Sequence, residues 1–157
     1  MDDRLFRTAM SKFATGVTVI STEVDGAYHG MTANAFMSVS LNPQLILVSI
    51  ANKAKFKPMV DQTGTFAVSL LAKGQEDISM HFAGQIKKEE GFTFASFDGM
   101  PVIDGAIATI ACDVHNTSVQ GDHTLYIGRV RDIAVADGDP LAYFSGKYYD
   151  IQLADGN

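Results

Sequence analysis

A chain of 157 residues, 46% hydrophobic and 19% charged, has the length and composition of one domain (1–157) with its own apolar core. Its net charge of −6 excludes a nucleic-acid backbone as the main partner, because phosphates want clustered Lys and Arg. The lone Cys112 excludes an intrachain disulfide, and His29, His81, His115 and His123 show no ligand spacing, so no metal site is expected and the cysteine usage fits a reducing cytoplasm.

Leu5, Phe6, Ala9, Met10 and Phe13 recur at helical spacing, with Asp2 and Asp3 at the start and Gly16 placed to close the helix. That acidic start reads as neither a signal peptide nor an anchor, and the longest apolar run, Leu45 to Ala51, is too short for a bilayer; no membrane contact is expected. Val17 to Thr22 is β-branched, and Asp25-Gly26 predicts a two-residue hairpin. The return strand reads on through Met31 to Phe36 into Met37-Ser38-Val39-Ser40. After Pro43, Leu45 to Ile50 is apolar on both faces, which predicts a central strand. Asn52 is placed to cap a short helix that Pro58 limits. Phe66 to Leu71 reads as a buried strand, and Gln75 to Phe82 as a helix with Gly84 past its end. The charged stretch from Gln85 to Met100 reads as a mobile excursion, with Glu89 and Glu90 in solvent. Two long strands, Ala106 to Val119 and His123 to Ala136, meet at Gln120-Gly121-Asp122; Asp137 to Pro140 turns into a last strand, Leu141 to Phe144. Strands joined by hairpins, with single helices between them, predict a mainly β antiparallel barrel with peripheral helices. No Gly-x-Gly-x-x-Gly and no Walker loop is present.

The sequence has no serine in a nucleophile elbow, and Cys112 lies in a strand pattern that would pack it. Hydrolase and metalloenzyme chemistry therefore find few residues to use, whereas a cofactor enzyme needs the protein mainly for positioning. Gly30 to Ser40 offers small side chains, hydroxyls and one amide, a slot for a flat heteroaromatic ring or else a hairpin strand with a wet face. Lys53-Ala54-Lys55-Phe56-Lys57 is either a local phosphate site or a solvated helix face. His123, after Gly121-Asp122, is either a surface turn residue or a functional one.

Phe13-Ala14-Thr15-Gly16-Val17-Thr18-Val19 and Gly30-Met31-Thr32-Ala33-Asn34-Ala35-Phe36, followed by Ser38-Val39-Ser40, strongly resemble the flavin reductase family. So, further along, do Asn42-Pro43, Phe82-Ala83-Gly84, Gly121-Asp122-His123-Thr124-Leu125-Tyr126 and Gly146-Lys147-Tyr148. These are the small reductase components of two-component flavin monooxygenases. The resemblance implies a six-stranded antiparallel split barrel, Greek-key and FMN-binding in type, working as a homodimer. It also implies NAD(P)H:flavin oxidoreductase activity, with FMN or FAD reduced by NADH or NADPH and passed to a separate oxygenase component. The isoalloxazine would lie against Met31, Thr32, Ala33, Asn34, Ala35 and Ser40, and the ribityl phosphate near Ala51, Asn52, Lys53 and Lys55. Phe82, Ala83 and Gly84 would form a flavin-side loop, His123 would position the nicotinamide, and Tyr148 would cover its pocket. Ala35 stands where members often carry Ser, and Asn52 where many carry Arg. The alternative is a flavin-binding electron-relay or storage module without NAD(P)H turnover, which needs neither His123 nor Tyr148.

Overall fold

The computed structural model describes residues 1–87 and 93–155; Glu89 and Glu90 lie outside them. Helix α1 (Asp3–Ser11) begins where Asp2 Oδ1 accepts the Arg4 amide at 2.9 Å, which satisfies one orphan donor of the first turn. It closes at Lys12, before Gly16 is reached. Gly16 belongs instead to β1 (Thr15–Gly16), because pairing with Ala142 near the C-terminus draws these residues into extended structure. Strands β2 (Thr18–Val24) and β3 (Ala27–Ala33) join through Asp25 and Gly26, both at positive φ (50° and 81°), the two-residue hairpin geometry expected.

The return strand does not run on. It breaks at Asn34 and Ala35, and β4 (Phe36–Leu41) pairs with β5 (Gln44–Ala51) instead. Strand β5 is second from the sheet edge and not central: Ile46, Val48 and Ile50 are buried, while its other face is half covered. Helix α2 (Lys57–Thr63) starts five residues beyond Asn52, so Asn52 is not its cap. Pro58 sits in its first turn, where a missing N–H costs nothing, and Gly64 at φ 67° ends it. Strand β6 (Thr65–Leu70) and α3 (Glu76–Phe82) follow as predicted, with Gly84 at φ 78° just past the helix.

Within the expected excursion lie β7 (Phe94–Phe97) and the start of β8 (Met100–Ile103). Asp98 and Gly99, at φ 50° and 77°, make their turn, and Met100 and Val102 pack on Ala67 and Ala111. The chain continues through β9 (Ala108–Gln120), β10 (His123–Val135) and β11 (Ala142–Phe144). Strand β11 is not the last: Ser145 and Gly146 (φ 50° and 78°) turn it into β12 (Lys147–Tyr149).

The main sheet is antiparallel in the order β3-β2-β6-β9-β10-β5-β4, seven strands where six were expected, because the break at Asn34-Ala35 turns one long return strand into two. Those two lie at opposite edges although only two residues separate them in the chain. Followed across the ladders, Ala33 reaches β9 at Ala108 and Phe36 reaches it at Thr117, nine residues along. Only a sheet that curls with that stagger can bring Ala33 and Phe36 together, the tilt that strands take in barrels. Among the described residues no ladder joins β3 to β4, so the sheet is not closed. Ile20, Val48, Ile50, Phe66, Val68, Cys112 and Tyr126 fill its main core with Phe56 and Val60 beside them. Burial pushes the Cys112 thiol up to about 12, which leaves it unreactive. Among the described residues no helix is long and apolar enough to cross a membrane.

Tyr126, fully buried on β10, donates its hydroxyl to Asp61 Oδ1 at 2.6 Å, and Lys57 Nζ lies 2.8 Å from Asp61 Oδ2, so the trio ties α2 to the sheet. Burial and then the Asp61 bond hold the phenol above its usual 10. Burial pushes Asp61 upward, but Lys57 and Tyr126 together outweigh it and leave the carboxyl below 3.8. Tyr126→Phe should cost about 1–2 kcal/mol at neutral pH in denaturant unfolding. Because the folded phenol has the raised pKa, that contribution is complete below pH 10 and is lost as pH climbs toward the folded value. The gap between the two proteins should narrow there.

Candidate active site

Thr32 and Ala33 end β3, and Asn34 and Ala35 carry the chain across to β4. Hydrogen bonds fix this link on every side. Thr18 Oγ1 donates to the Ala33 carbonyl at 2.7 Å, the Phe36 amide to Asn34 at 3.0 Å and the Ser49 amide to Ala35 at 3.1 Å. Thr32 Oγ1 donates to the Ser79 carbonyl at 2.7 Å, which brings the middle of α3 alongside. Opposite stands the β11–β12 hairpin, whose Tyr143 and Tyr148 rings meet edge to face at 5.3 Å. The Tyr148 hydroxyl shares a 2.7 Å hydrogen bond with Ser79 Oγ.

These elements line an open cleft of about 160 Å³ between Thr32, Ala33, Asn34, Ala83 and Tyr148. Among the described residues no charged side chain lines it. Asn34 also borders two adjoining clefts, where Phe13, Thr15 and Phe6 form walls. Thr15 Oγ1 is buried there without a hydrogen-bond partner. Small walls, several hydroxyls, an amide and an orphaned buried oxygen suit a flat, uncharged ring with a polar edge.

A second cluster forms where β5 ends. Ala51 pairs with His123, and Asn52, Lys53 and Lys55 follow on exposed turns ahead of α2. Since Ser49 bonds Ala35, this corner begins about 8 Å from the slot, one strand spacing across and two residues along.

The structure therefore brings Thr32, Ala33, Asn34, Ala83 and Tyr148 together, and places the other sequence candidates elsewhere. Met31 packs against the main core. Ala35 bonds β5, and Ser40 lies about 16 Å further along β4 at the strand rise. Phe82 turns inward: a Cβ on Gly30 would sit 2.9 Å from its ring, so that glycine is what admits it. Gly84 serves as the helix terminator. His123 stands at the Ala51 corner with Asn52 and Lys53 and not beside Tyr148, because the β5–β10 register carries it there. Its Nδ1 lies 2.8 Å from Asp122 Oδ1. Sequence reasoning missed Ser79, Gln85 and Tyr143, which also line the cavity. For Tyr143 the Ser145-Gly146 turn was the available signal, since it sets Tyr143 across from Tyr148.

Residues 10–152 match the flavin reductase like domain family. An NADH-dependent flavin reductase of Rhodococcus sp is 43% identical over 150 residues, covering 94% of this chain and 85% of that one. The reductase component of 4-hydroxyphenylacetate 3-monooxygenase from Thermus thermophilus is 40% identical over 144 residues, 91% of this chain and 93% of the other. The solved structure of the flavin reductase PheA2 in its native state is 56% identical and superposes with a TM-score of 0.94, over 98% of this chain and 100% of that one. The NADH:FAD oxidoreductase of Streptomyces globisporus, solved with NAD and FAD fragments, is 31% identical with a TM-score of 0.87, over 99% and 96%. Matched by the family model over residues 10–152 and by these relatives along nearly its whole length, this chain belongs to the flavin reductase like domain family.

Proposed function

We propose that this protein is an NADH-dependent flavin reductase that reduces FMN or FAD and hands the reduced flavin to a separate monooxygenase component. The observation that carries the reading is the uncharged cavity between the Thr32–Asn34 link, Ala83 and Tyr148, lined by neutral donors and acceptors. The names of its relatives support the partner: one is the reductase component of a monooxygenase and another a flavin reductase component of a tryptophan halogenase. Flavin and nicotinamide supply the chemistry, a hydride passing from one ring to the other; alignment of the rings is what the protein contributes. Thr32, Ala33 and Asn34 would hold the flavin edge, and the Ser79–Tyr148 bond would steady the aromatic wall of the slot. Lys53 and Lys55 would attract the ribityl phosphate, and His123 would contact the nicotinamide nucleotide.

The staggered, unclosed sheet supports reading the fold as a split barrel. What one copy leaves uncovered supports a homodimer: Met37, Val39 and Leu41 on edge strand β4, and Val119 and Val135 on β9 and β10, are exposed. The free Cys112 suits the cytoplasm as its place of action.

Catalytic amounts of protein mixed with NADH and FMN under nitrogen should bleach many equivalents of flavin. A relay module would bleach no more than its own equivalent. His123→Ala should raise the KM for NADH about tenfold, the loss of one good hydrogen bond, with the KM for FMN within about twofold. An unchanged NADH KM removes His123 from the site. Lys55→Ala should raise the KM for FMN severalfold and leave that for riboflavin, which lacks the phosphate, unmoved. Equal effects on both would place the lysine elsewhere.

A further inference from the structure

Asn52 is exposed, yet its side chain is engaged at both ends by the turn that presents His123. Its Oδ1 accepts the hydroxyl of Thr124, a buried residue, at 2.6 Å, and its Nδ2 donates to the Gly121 carbonyl at 3.3 Å. Its backbone amide donates to the Asp122 carbonyl at 2.9 Å. Three of the four residues from Gly121 to Thr124 are thus tied to Asn52, and the fourth, His123, is paired with Ala51 next door. A primary amide accepts at its oxygen and donates from its nitrogen at once; Asp would lose the Gly121 bond and Ala both.

The consequence falls on the imidazole. Its Nδ1 lies 2.8 Å from the carboxylate of Asp122, whose side chain is almost fully exposed. An exposed pair between neighbouring residues competes with water and holds one geometry only if the backbone under it is fixed. We propose that Asn52 is a positioning residue: it fixes the Gly121–Thr124 backbone so that the Asp122 carboxylate accepts a hydrogen bond from Nδ1–H of His123, and Nε2 is left as the acceptor for the nicotinamide nucleotide. This rests on the assignment of His123 to that nucleotide. It also gives Asn52 a task other than contact with the flavin phosphate.

The test uses riboflavin as acceptor, so that no phosphate contact enters. Asn52→Ala should raise the KM for NADH about five- to tenfold with kcat within about twofold. Added to His123→Ala it should change nothing more, since it acts through that ring. Thr124→Val, which keeps the shape and removes the hydroxyl, should move the KM in the same direction. In protein without ligands, the ¹⁵N shifts of the His123 ring should report Nδ1–H in the wild type and a swing toward Nε2–H in Asn52→Ala. An Asn52→Ala protein with unchanged NADH KM and unchanged ring shifts overturns the proposal. So do Asn52 and His123 effects that multiply. If His123→Ala alone leaves the KM unmoved, the assignment of His123 is what fails, and the proposal falls with it.

Discussion

Ala83→Trp is expected to lower kcat/KM for flavin by at least about 100-fold while the protein folds normally. Ala83 caps α3 on one wall of the slot, with ordinary helical backbone angles that any side chain adopts. An indole leaving that wall would enter the cleft of about 160 Å³ that Tyr143 and Tyr148 also line, and would occupy the space the ring needs. A ring that no longer enters, or enters displaced by an ångström, loses the alignment on which hydride transfer depends, and that alone is worth about two orders of magnitude. Steady-state kinetics beside a thermal melt check this. Full activity in a folded Ala83→Trp protein would move the flavin out of the slot.

Gly128→Val should be the most damaging change to the fold, about 3 kcal/mol and a fall of roughly 10 °C in Tm. Gly128 is buried on β10 beside a ladder irregularity, and a Cβ there would meet Phe66 Cζ at 2.7 Å and Cys112 Cβ at 3.0 Å. Both neighbours belong to the fully buried main core, so neither has solvent to retreat into. Phe66→Leu, which trims the obstructing ring, should recover part of the loss when combined with Gly128→Val. A double variant no better than the sum of the two singles would show that the clash is not with Phe66.

Local signals were read correctly where the chemistry is local. Asp25-Gly26 demanded positive φ at two successive positions and obtained it, and Gly84 ended α3 for the same reason. The slot was legible as small polar residues from Met31 to Ala35, of which Thr32, Ala33 and Asn34 line the cavity. What the sequence hid was set by long-range pairing. Nothing in Thr32-Ala33-Asn34-Ala35-Phe36 announces that the strand before and the strand after lie at opposite edges of one sheet; only the stagger of the other ladders decides it. The family resemblance assigns both His123 and Tyr148 to the nicotinamide; what it could not show is that β10 registers His123 on Ala51 while the Ser145-Gly146 turn folds Tyr148 back over Ser79. The β7–β8 hairpin was lost in a charged neighbourhood, although Asp98-Gly99 between apolar residues is the same turn signal that succeeded at Asp25-Gly26. Helix α1 carries an apolar stripe that points to no core in one copy, so periodicity gave its existence and not its surroundings.

The seat of the flavin ring is the claim on which the functional reading stands, and amide chemical-shift mapping with riboflavin, in the absence of NADH, tests it most directly. Binding in the slot should move the signals of Thr32 to Ala35, Ala83 and Tyr148 together at one saturating concentration. A titration that leaves those signals still while shifting others would contradict it.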